Sequence, residues 1–312
     1  MNFEKLPPVD SGAHLLDLAF RKARESGQKK LTGSWLEIIK KKDSLKLDVV
    51  KDTLVSRLVK VISSFPNSNE LGNFYQQLMK LTLDHHQYKK SLAALNWGID
   101  KIRAFHRSYV SKINRNYDRK QIGFLSTQCY GRISSVIKQI SSDLKYLEQC
   151  RRIMRTYPDI KEMFTVCIYG FPNVGKTTLL NKLTGTKAEV AAYSFTTKSI
   201  NAGYLSEDGK MVQVLDVPGT LAREEKMNNI ELQAELVRKE LASLIIYVFD
   251  LSESSSYSSK KQEQLFRKLG KEKKILVYFS KMDLIKNAGT YAKKYRPLGI
   301  QGLKEKIKEL YN

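Results

Sequence analysis

The chain has 312 residues, of which 42% are apolar, so it is long and apolar enough for about two globular domains. Its 54 lysines and arginines outnumber its 32 aspartates and glutamates, giving a net charge of +22 that predicts attraction to polyanions. The sequence contains neither the apolar run of about 18 residues that a membrane-spanning helix needs nor a secretory signal peptide.

The first half of the chain, up to about Tyr157, has helical periodicity and no β-hairpin signal. The predicted helices run from Ser11 to about Gly27, from Trp35 toward Phe65, over Leu71–Leu81, from about Asp84 to Arg115, and from about Arg119 through Leu144. We expect an interruption of the second helix near Asp43. Residues 1–160 are therefore predicted to form a domain that is a bundle of long helices.

Both halves of the chain are basic, and the first half is the more basic. Residues 1–160 carry 29 basic and 15 acidic residues, against 25 and 17 in residues 161–312. The densest basic and aromatic stretch comprises Lys101, Arg103, Phe105, His106, Arg107, Tyr109, Lys112, Arg115, Tyr117, Arg119 and Lys120. Its cations could follow an RNA backbone, and its aromatic side chains could either stack on splayed bases or form the core of the bundle.

The periodicity changes after Pro158, where short apolar, β-branched runs begin to alternate with helical patterns. The predicted strands are Phe164–Tyr169, Val212–Leu215, Leu244–Phe249 and Ile275–Phe279, and the predicted helices between the later ones are Ile230–Leu241 and Lys260–Leu269. This alternation predicts an α/β domain with a mostly parallel sheet over residues 161–312. The serine-rich tract Ser252–Ser259 is predicted to be a loop.

A phosphate-binding loop follows the first of these strands. Residues Gly170 to Thr177 fit the pattern G-x-x-x-x-G-K-[ST], between an apolar strand and a helical run. The glycines allow backbone N–H groups to turn inward as an anion site at a helix N-terminus. Lys176 is expected to reach the β- and γ-phosphates, and the Thr177 hydroxyl to bind Mg²⁺.

Two further motifs indicate a guanine nucleotide. Asp216-Val-Pro-Gly219 ends a strand and has the form D-x-x-G, in which the carboxylate holds Mg²⁺ through water and the Gly219 N–H meets the γ-phosphate. Ser280-Lys281-Met-Asp283 differs from N-K-x-D at one position. The Asp283 carboxylate can accept the N1–H and the 2-amino N–H of guanine, a pair that adenine lacks. Ser280 replaces an asparagine that normally touches the base, so we expect guanine selectivity to survive and affinity to fall.

Three motifs in this order, each at a strand's carboxyl end, predict a GTP/GDP site with Mg²⁺. The residues predicted to contact the nucleotide are Gly170, Phe171, Pro172, Asn173, Val174, Gly175, Lys176, Thr177, Thr178, Asp216, Gly219, Ser280, Lys281 and Asp283.

The segment Ala192–Tyr204 resembles the Y-P-F-T-T switch I of the Obg-like GTPases, with Ser194 in place of proline. Residues Met227–Ala234, Phe249–Glu253 and the opening Phe3–Arg21 resemble one branch of that group. This branch is the nucleolar GTP-binding protein family of large-subunit ribosome assembly factors. The resemblance covers nearly the whole chain. In its short form the chain is similar to the archaeal members of the family.

The resemblance implies several roles for residues of this chain. Thr197 would be the switch I threonine that ligates Mg²⁺ in the GTP state, and Lys176, Thr197 and Gly219 would act in hydrolysis. Asn173 matches an asparagine that helps to hold a potassium ion in related GTPases. Thr220 stands where Ras-type enzymes have a water-orienting glutamine. The last guanine-contact motif, normally Ser-Ala on a sixth strand, is not legible between Leu284 and Gly302.

The function predicted from these patterns is a slow GTPase that assists large-subunit assembly and binds ribosomal RNA through the helical domain. The alternatives are a nucleotide-gated RNA-binding scaffold with little hydrolysis, a GTPase on a membrane surface, and a basic protein without a polyanionic partner. His85-His86 has no acidic or cysteine neighbours at metal-ligand spacing, so a solvated helix start is expected there. The three cysteines favour a reduced, cytoplasmic protein without disulfides.

Overall fold

The computed structural model describes residues 3–28, 31–157, 160–161, 163–185, 201–207, 209–217, 219, 229–269, 273–285 and 288–311. The chain forms two compact units. One consists of Phe3–Glu70 and Thr82–Arg155, and the other of Leu71–Leu81 and the described residues from Thr156 onward. The predicted domain boundary between residues 160 and 161 stays a prediction.

The described residues of the first half of the chain form six α-helices. They are α1 (Gly12–Ser26), α2 (Trp35–Ser64), α3 (Asn73–Thr82), α4 (His85–Arg115), α5 (Arg119–Gln139) and α6 (Ser141–Met154). All except most of α3 belong to the first unit, which is wholly helical among its described residues. The predicted helical bundle is confirmed.

Side-chain caps explain where these helices begin. Ser11 accepts a hydrogen bond from the His14 N–H, and Asp84 accepts one from the Gln87 N–H. Ser34 and Glu37 form a reciprocal capping box at the start of α2.

The expected interruption of α2 near Asp43 is wrong. The helix continues through this point and buries one side along Leu47, Val50, Leu54 and Leu58.

The fifth predicted helix is divided in two at Ile140. This residue has φ −88° and ψ 6° and separates α5 from α6. Its side chain is buried, and a Cβ placed on Gly98 of α4 would lie 3.2 Å from the Ile140 Cδ1 atom. The bend thus lets α6 pack where α4 has no side chain, and no glycine or proline marks it in the sequence.

In the second unit the described residues form a five-stranded sheet. Its strands are β1 (Thr165–Tyr169), β2 (Asn201–Glu207), β3 (Lys210–Asp216), β4 (Leu244–Asp250) and β5 (Lys274–Ser280). Their order is β2-β3-β1-β4-β5, with β2 antiparallel to β3 and every other pair parallel. The mostly parallel α/β sheet is confirmed.

Five α-helices follow the first strand among the described residues of this unit. They are α7 (Lys176–Thr184), α8 (Asn229–Glu240), α9 (Ser259–Lys268), α10 (Ala288–Tyr295) and α11 (Ile300–Tyr311). Strands β1 and β4 are buried along their whole length, as is usual for central parallel strands covered on both faces. No described helix is long and apolar enough to cross a membrane.

The register of the parallel strands aligns their carboxyl ends. Ile168 of β1 pairs with Asp216, the last residue of β3, and Asp250 of β4 pairs with Ser280, the last residue of β5. In open α/β sheets this edge is where ligands bind. The fold therefore brings together the residues that follow β1, β3, β4 and β5.

Candidate nucleotide site

The loop after β1 has the backbone geometry of an anion site. Gly170, Asn173 and Gly175 have positive φ angles of 154°, 62° and 94°. A Cβ on Gly170 would lie 2.8 Å from the carbonyl oxygen of Val248, so a larger residue does not fit there. The loop ends at Gly175, the N-terminal cap of α7, where the unpaired N–H groups of the helix favour a phosphate.

The Lys176 side chain is held within this loop. It is only 7% exposed, and its Nζ atom donates a 2.8 Å hydrogen bond to the Phe171 carbonyl oxygen. The Phe171 ring is buried and packs against Tyr257, with 4.7 Å between the ring centroids. Tyr257 lies in the predicted serine-rich loop, which therefore supports the phosphate loop. Val174 is also buried, whereas Thr178 is exposed beside Thr177.

Thr177 and Asp216 face each other beside the loop. The Thr177 hydroxyl donates a 2.5 Å hydrogen bond to the Asp216 Oδ2 atom, which also accepts a 3.2 Å bond from the Asn201 amide. Burial raises the pKa of Asp216, and the Thr177 hydrogen bond and the charge of Lys176 partly offset this effect. A hydroxyl and a carboxylate are hard oxygen donors, so these two residues fit Mg²⁺.

Gly219 lies directly against the phosphate loop. A Cβ on Gly219 would lie 2.6 Å from the Pro172 Cα atom and 2.7 Å from the Phe171 carbonyl carbon. Only glycine allows this approach without a shift of the backbone. The geometry thus joins the D-x-x-G motif to the G-x-x-x-x-G-K-T loop.

The segment after β5 lies at the same edge of the sheet. Ser280 is buried, and its hydroxyl donates a 3.1 Å hydrogen bond to the Phe249 carbonyl oxygen of β4. A Cβ on Gly175 would lie 3.4 Å from the Ser280 Cβ atom, so Ser280 borders the phosphate loop. Asp283 is exposed in the short 3₁₀ turn Met282–Leu284.

Asp250 holds Lys281 in place. The Lys281 Nζ atom lies 2.6 Å from the Asp250 Oδ2 atom, and Lys281 has a left-handed backbone with φ 49°. Asp250 is fully buried and also accepts bonds from the backbone N–H and the hydroxyl of Ser252. Neither Asp250 nor Asn201 is given a role by the sequence motifs. Asp250 does end an apolar strand, β4, beside β5, after which the predicted guanine-contact residues lie. That position is the sequence signal by which it could be found.

Some of the predicted site residues lie outside the described part of the chain. They include Thr197 with most of the switch I motif, and Thr220 after D-x-x-G. Among the described residues the sheet has no sixth strand; instead the Leu298 N–H donates to the Val277 carbonyl oxygen of β5. The segment between α10 and α11 therefore runs beside β5 where the last guanine-contact motif was expected.

The side chains of the basic and aromatic stretch differ in their exposure to solvent. All seven of its lysines and arginines are exposed, whereas Tyr109 is buried and Phe105 and His106 are half-buried. Tyr117 is 80% exposed. The aromatic side chains thus belong partly to the core and partly to the surface. Among the described residues there is no group of three or more histidine, cysteine, aspartate or glutamate side chains that could hold a metal ion.

Two protein families match successive parts of the chain. Residues 3–161 match the NOG1 N-terminal helical domain, and residues 165–281 match the 50S ribosome-binding GTPase family. The G domain of the FeoB iron transporter of T. maritima is a similar solved structure. It has 28% sequence identity and a TM-score of 0.39, and the match covers 48% of this chain and 100% of that one.

Curated relatives match nearly the whole chain. An uncharacterised protein of Methanocaldococcus jannaschii is 34% identical over 290 residues, which are 91% of this chain and 81% of that protein. Nucleolar GTP-binding protein 1 of Saccharomyces cerevisiae is 30% identical over 292 residues, which are 92% of this chain and 45% of the yeast protein. The chain thus spans about half the length of its yeast relative. With both domains matched and the loop and strand ends assembled as described, the chain belongs to the nucleolar GTP-binding protein family and is a GTP-binding protein with a P-loop GTPase domain.

Proposed function

We propose that the protein is a GTPase that assists assembly of the large ribosomal subunit and binds ribosomal RNA through its basic helical domain. The observation that carries this proposal is the meeting of Lys176, the Thr177–Asp216 pair, Gly219 and the Lys281–Asp250 pair at one sheet edge. The same chain carries a helical domain whose exposed side chains are strongly basic. The description of the matched GTPase family as ribosome-binding supports the choice of partner.

The nucleotide is GTP or GDP, held by the residues from Gly170 to Thr178 and read by Asp283. Mg²⁺, when bound, supplies positive charge that neutralises the phosphates. Thr177 would hold it directly, Asp216 through water and Thr197 in the GTP state. Lys176 contributes a second positive charge, and the Gly219 N–H a hydrogen bond to the γ-phosphate. Catalysis is then mainly positioning and charge stabilisation of a water attack. A potassium ion beside Asn173 would add further charge.

The intrinsic rate of hydrolysis is expected to be low. A threonine at position 220 has no amide that can donate and accept at once, as the glutamine of Ras-type enzymes does. We expect a rate on the order of 10⁻³ s⁻¹ or below, as in unassisted GTPases, and acceleration by large-subunit precursors.

A nucleotide-gated RNA-binding scaffold with little hydrolysis is the second candidate, and Ser280 and Thr220 favour it. Single-turnover hydrolysis, in potassium and in sodium, with and without large-subunit precursor particles, separates the two. The GTPase proposal predicts that hydrolysis is faster when precursor particles are present. It predicts that Lys176→Ala does not bind nucleotide tightly, and that Thr220→Ala changes the intrinsic rate of hydrolysis by less than about fivefold. No turnover under any of these conditions would favour the scaffold. A loss of about a hundredfold in Thr220→Ala with normal GTP affinity would instead make Thr220 catalytic.

We place the GTPase domain at residues 161–312 and the RNA-docking domain at 1–160. A reduced, cytoplasmic location without a membrane partner is part of the proposal. It is supported by the three cysteines, which are buried and free. Burial raises the pKa of Cys129 and Cys167 to about 12 and that of Cys150 to about 11, so all three thiols stay protonated.

A further inference from the structure

One end of the helical unit presents two exposed aromatic rings. Trp35, the first residue of α2, is 61% exposed, and Tyr117, in the connection between α4 and α5, is 80% exposed. Single exposed aromatic side chains are common on protein surfaces and need no function. These two rings differ because each is paired with a cation.

The pairing joins the two segments into one surface. The Arg119 guanidinium lies 5.1 Å from the Trp35 ring centroid, and the Lys40 Nζ atom lies 4.3 Å from that of Tyr117. Each ring thus receives its cation from the other segment, since Trp35 and Lys40 belong to α2 while Tyr117 and Arg119 flank the start of α5. Lys40 also donates a 2.9 Å hydrogen bond to the Asn114 carbonyl oxygen. We call these four side chains the aromatic end.

The exposure of these rings argues against a purely structural role. Tyr109 shows the alternative, because its ring is buried in the unit while Lys112 lies 5.1 Å from its centroid. Trp35 and Tyr117 bury much less area, and cation–π contacts are weak at exposed sites. A cation over one face does, however, restrict the ring and leaves the rest of its surface open to a ligand.

The charge around the aromatic end identifies the class of ligand. Residues 107–124 contain five lysines and arginines and one acidic residue, and Lys40 is followed by Lys41 and Lys42. An open cleft of about 530 Å³ lies beside it, where Lys40 and Lys41 are balanced by Glu37 and Asp48, so the excess of positive charge lies outside the cleft. Cations alone would suit any polyanion, including duplex RNA or an anionic membrane. Flat rings next to cations suit unpaired bases, which stack on aromatic and guanidinium planes while lysines and arginines hold the phosphates.

We propose that the aromatic end is a stacking platform for unpaired RNA bases, with Trp35 and Tyr117 as the stacking side chains. The proposal rests on the proposed function, to which it adds the kind of RNA and the residues that bind it. It predicts that the protein prefers a single-stranded segment, such as a loop or a bulge, to a continuous duplex.

Binding of the full-length protein to fluorescent RNA tests the proposal. The probes are a mixed-sequence single strand of about ten nucleotides and a duplex of the same length, compared at one salt concentration. Trp35→Ala and Tyr117→Ala should each weaken single-strand binding at least about fivefold, or about 1 kcal/mol, because stacking is lost. Duplex binding should change less than about twofold. Trp35→Phe and Tyr117→Phe keep a ring and should retain most of the affinity.

Trp97→Ala is the matched control, because Trp97 is 40% exposed on α4, outside the aromatic end. This variant should bind the single strand like the wild type. Normal single-strand binding by both alanine variants at the aromatic end would overturn the stacking platform and leave RNA binding intact. A wild-type protein that binds neither RNA would overturn the proposed function as well. Binding to phosphatidylserine vesicles that depends on Trp35 and Tyr117, without loss of RNA binding in the variants, would assign this surface to a membrane.

Discussion

Asp283 is the residue to which guanine selectivity is assigned. Its carboxylate is exposed in the turn after β5 and can accept both the N1–H and the 2-amino N–H of guanine. In Asp283→Asn one acceptor becomes a donor, which matches xanthine instead. GTP affinity should fall relative to XTP by at least about tenfold, or about 1.4 kcal/mol. Displacement of a fluorescent GDP analogue by GTP and by XTP measures both affinities, with Met282→Ala as the control. Unchanged GTP affinity in the variant would show that the base is read elsewhere.

Asp250 is predicted to act as a positioning residue for Lys281. It is fully buried, and its ion pair holds a lysine whose backbone is left-handed. Asp250→Asn keeps the shape but removes the charge, so Lys281 should turn to solvent and GTP affinity should fall about tenfold.

Glu263→Gln is the matched control for Asp250→Asn, because it breaks an ion pair with Lys294 on helices α9 and α10. Binding by this control should change less than about twofold. Isothermal titration with GTP and with XTP supplies the readout. A role limited to stability would lower the unfolding temperature of Asp250→Asn without changing its nucleotide affinity, and would contradict the prediction.

The site residues that can be predicted from the sequence are those that lie in short sequence motifs. Lys176 and Thr177 follow β1 and Asp216 ends β3, each within a short motif, so the parallel sheet brings them to one edge. Asn201 and Asp250 are different, because they belong to none of the nucleotide motifs and contact motif residues only through the fold. A single sequence does not encode those pairings in any spacing. The motifs therefore identify the chemistry, and the register of the strands adds the supporting side chains.

At the scale of an element, Glu148 ties the N-terminal segment to α6. Its carboxylate accepts hydrogen bonds from the Val9 N–H at 3.1 Å, from Arg151 at 2.7 and 2.8 Å, and from Arg152 at 3.0 Å. The Arg151 hydrogen bonds are the main cause that lowers the pKa of Glu148 from 4.5 to about 2. The charged carboxylate therefore stabilises the fold above about pH 4.5, and this contribution is lost as the pH falls toward 2.

Glu148→Gln should lower the free energy of unfolding at pH 7 by about 1 kcal/mol, since solvent screens these partly exposed groups. The difference from the wild type should shrink between pH 4.5 and pH 2. Urea unfolding followed by tryptophan fluorescence measures it, because Trp35 and Trp97 are the two tryptophans of the chain and both lie in the helical unit. Glu309→Gln, which breaks the exposed pair with Lys306, should have almost no effect. If the difference in free energy of unfolding between Glu148→Gln and the wild type stays constant with pH, the charged Glu148 carboxylate is not the stabilising group.

The predictability of an element depends on whether its signal is local. Helices α1, α2 and α4 begin at caps that the sequence displays, and their starts are found within a residue. The bend at Ile140 depends on packing over Gly98 of another helix, so the local pattern does not contain it. The sequence pattern does not predict strand β2, although Asp208-Gly209 is a hairpin signal, because the apolar alternation of this strand is short and its end is polar. Helices α10 and α11 occupy most of the stretch in which the last guanine-contact motif is not legible.

At the scale of the whole molecule, one chain combines a nucleotide site with a basic helical unit. The two-domain order and the family were predictable because the motifs occur in sequence and each has its expected neighbour. The division of the described residues between the two compact units was not predictable from the sequence. Most of α3 lies in Leu71–Leu81, and this segment belongs to the same compact unit as the sheet. In that unit the Tyr75 hydroxyl accepts a 2.9 Å hydrogen bond from the Ile160 N–H, a contact across 85 residues of sequence.

Crosslinking of the protein to RNA in living cells, followed by sequencing of the bound fragments, tests the central claim most directly. The account predicts that crosslinks concentrate in large-subunit ribosomal RNA and its precursors. It also predicts that they decrease when Lys101, Arg107 and Arg115, all exposed on α4, are changed together to glutamine. Crosslinks spread over cellular RNA in proportion to abundance, or unchanged in the triple variant, would contradict the claim that this GTP-binding protein acts on the large subunit through its helical domain.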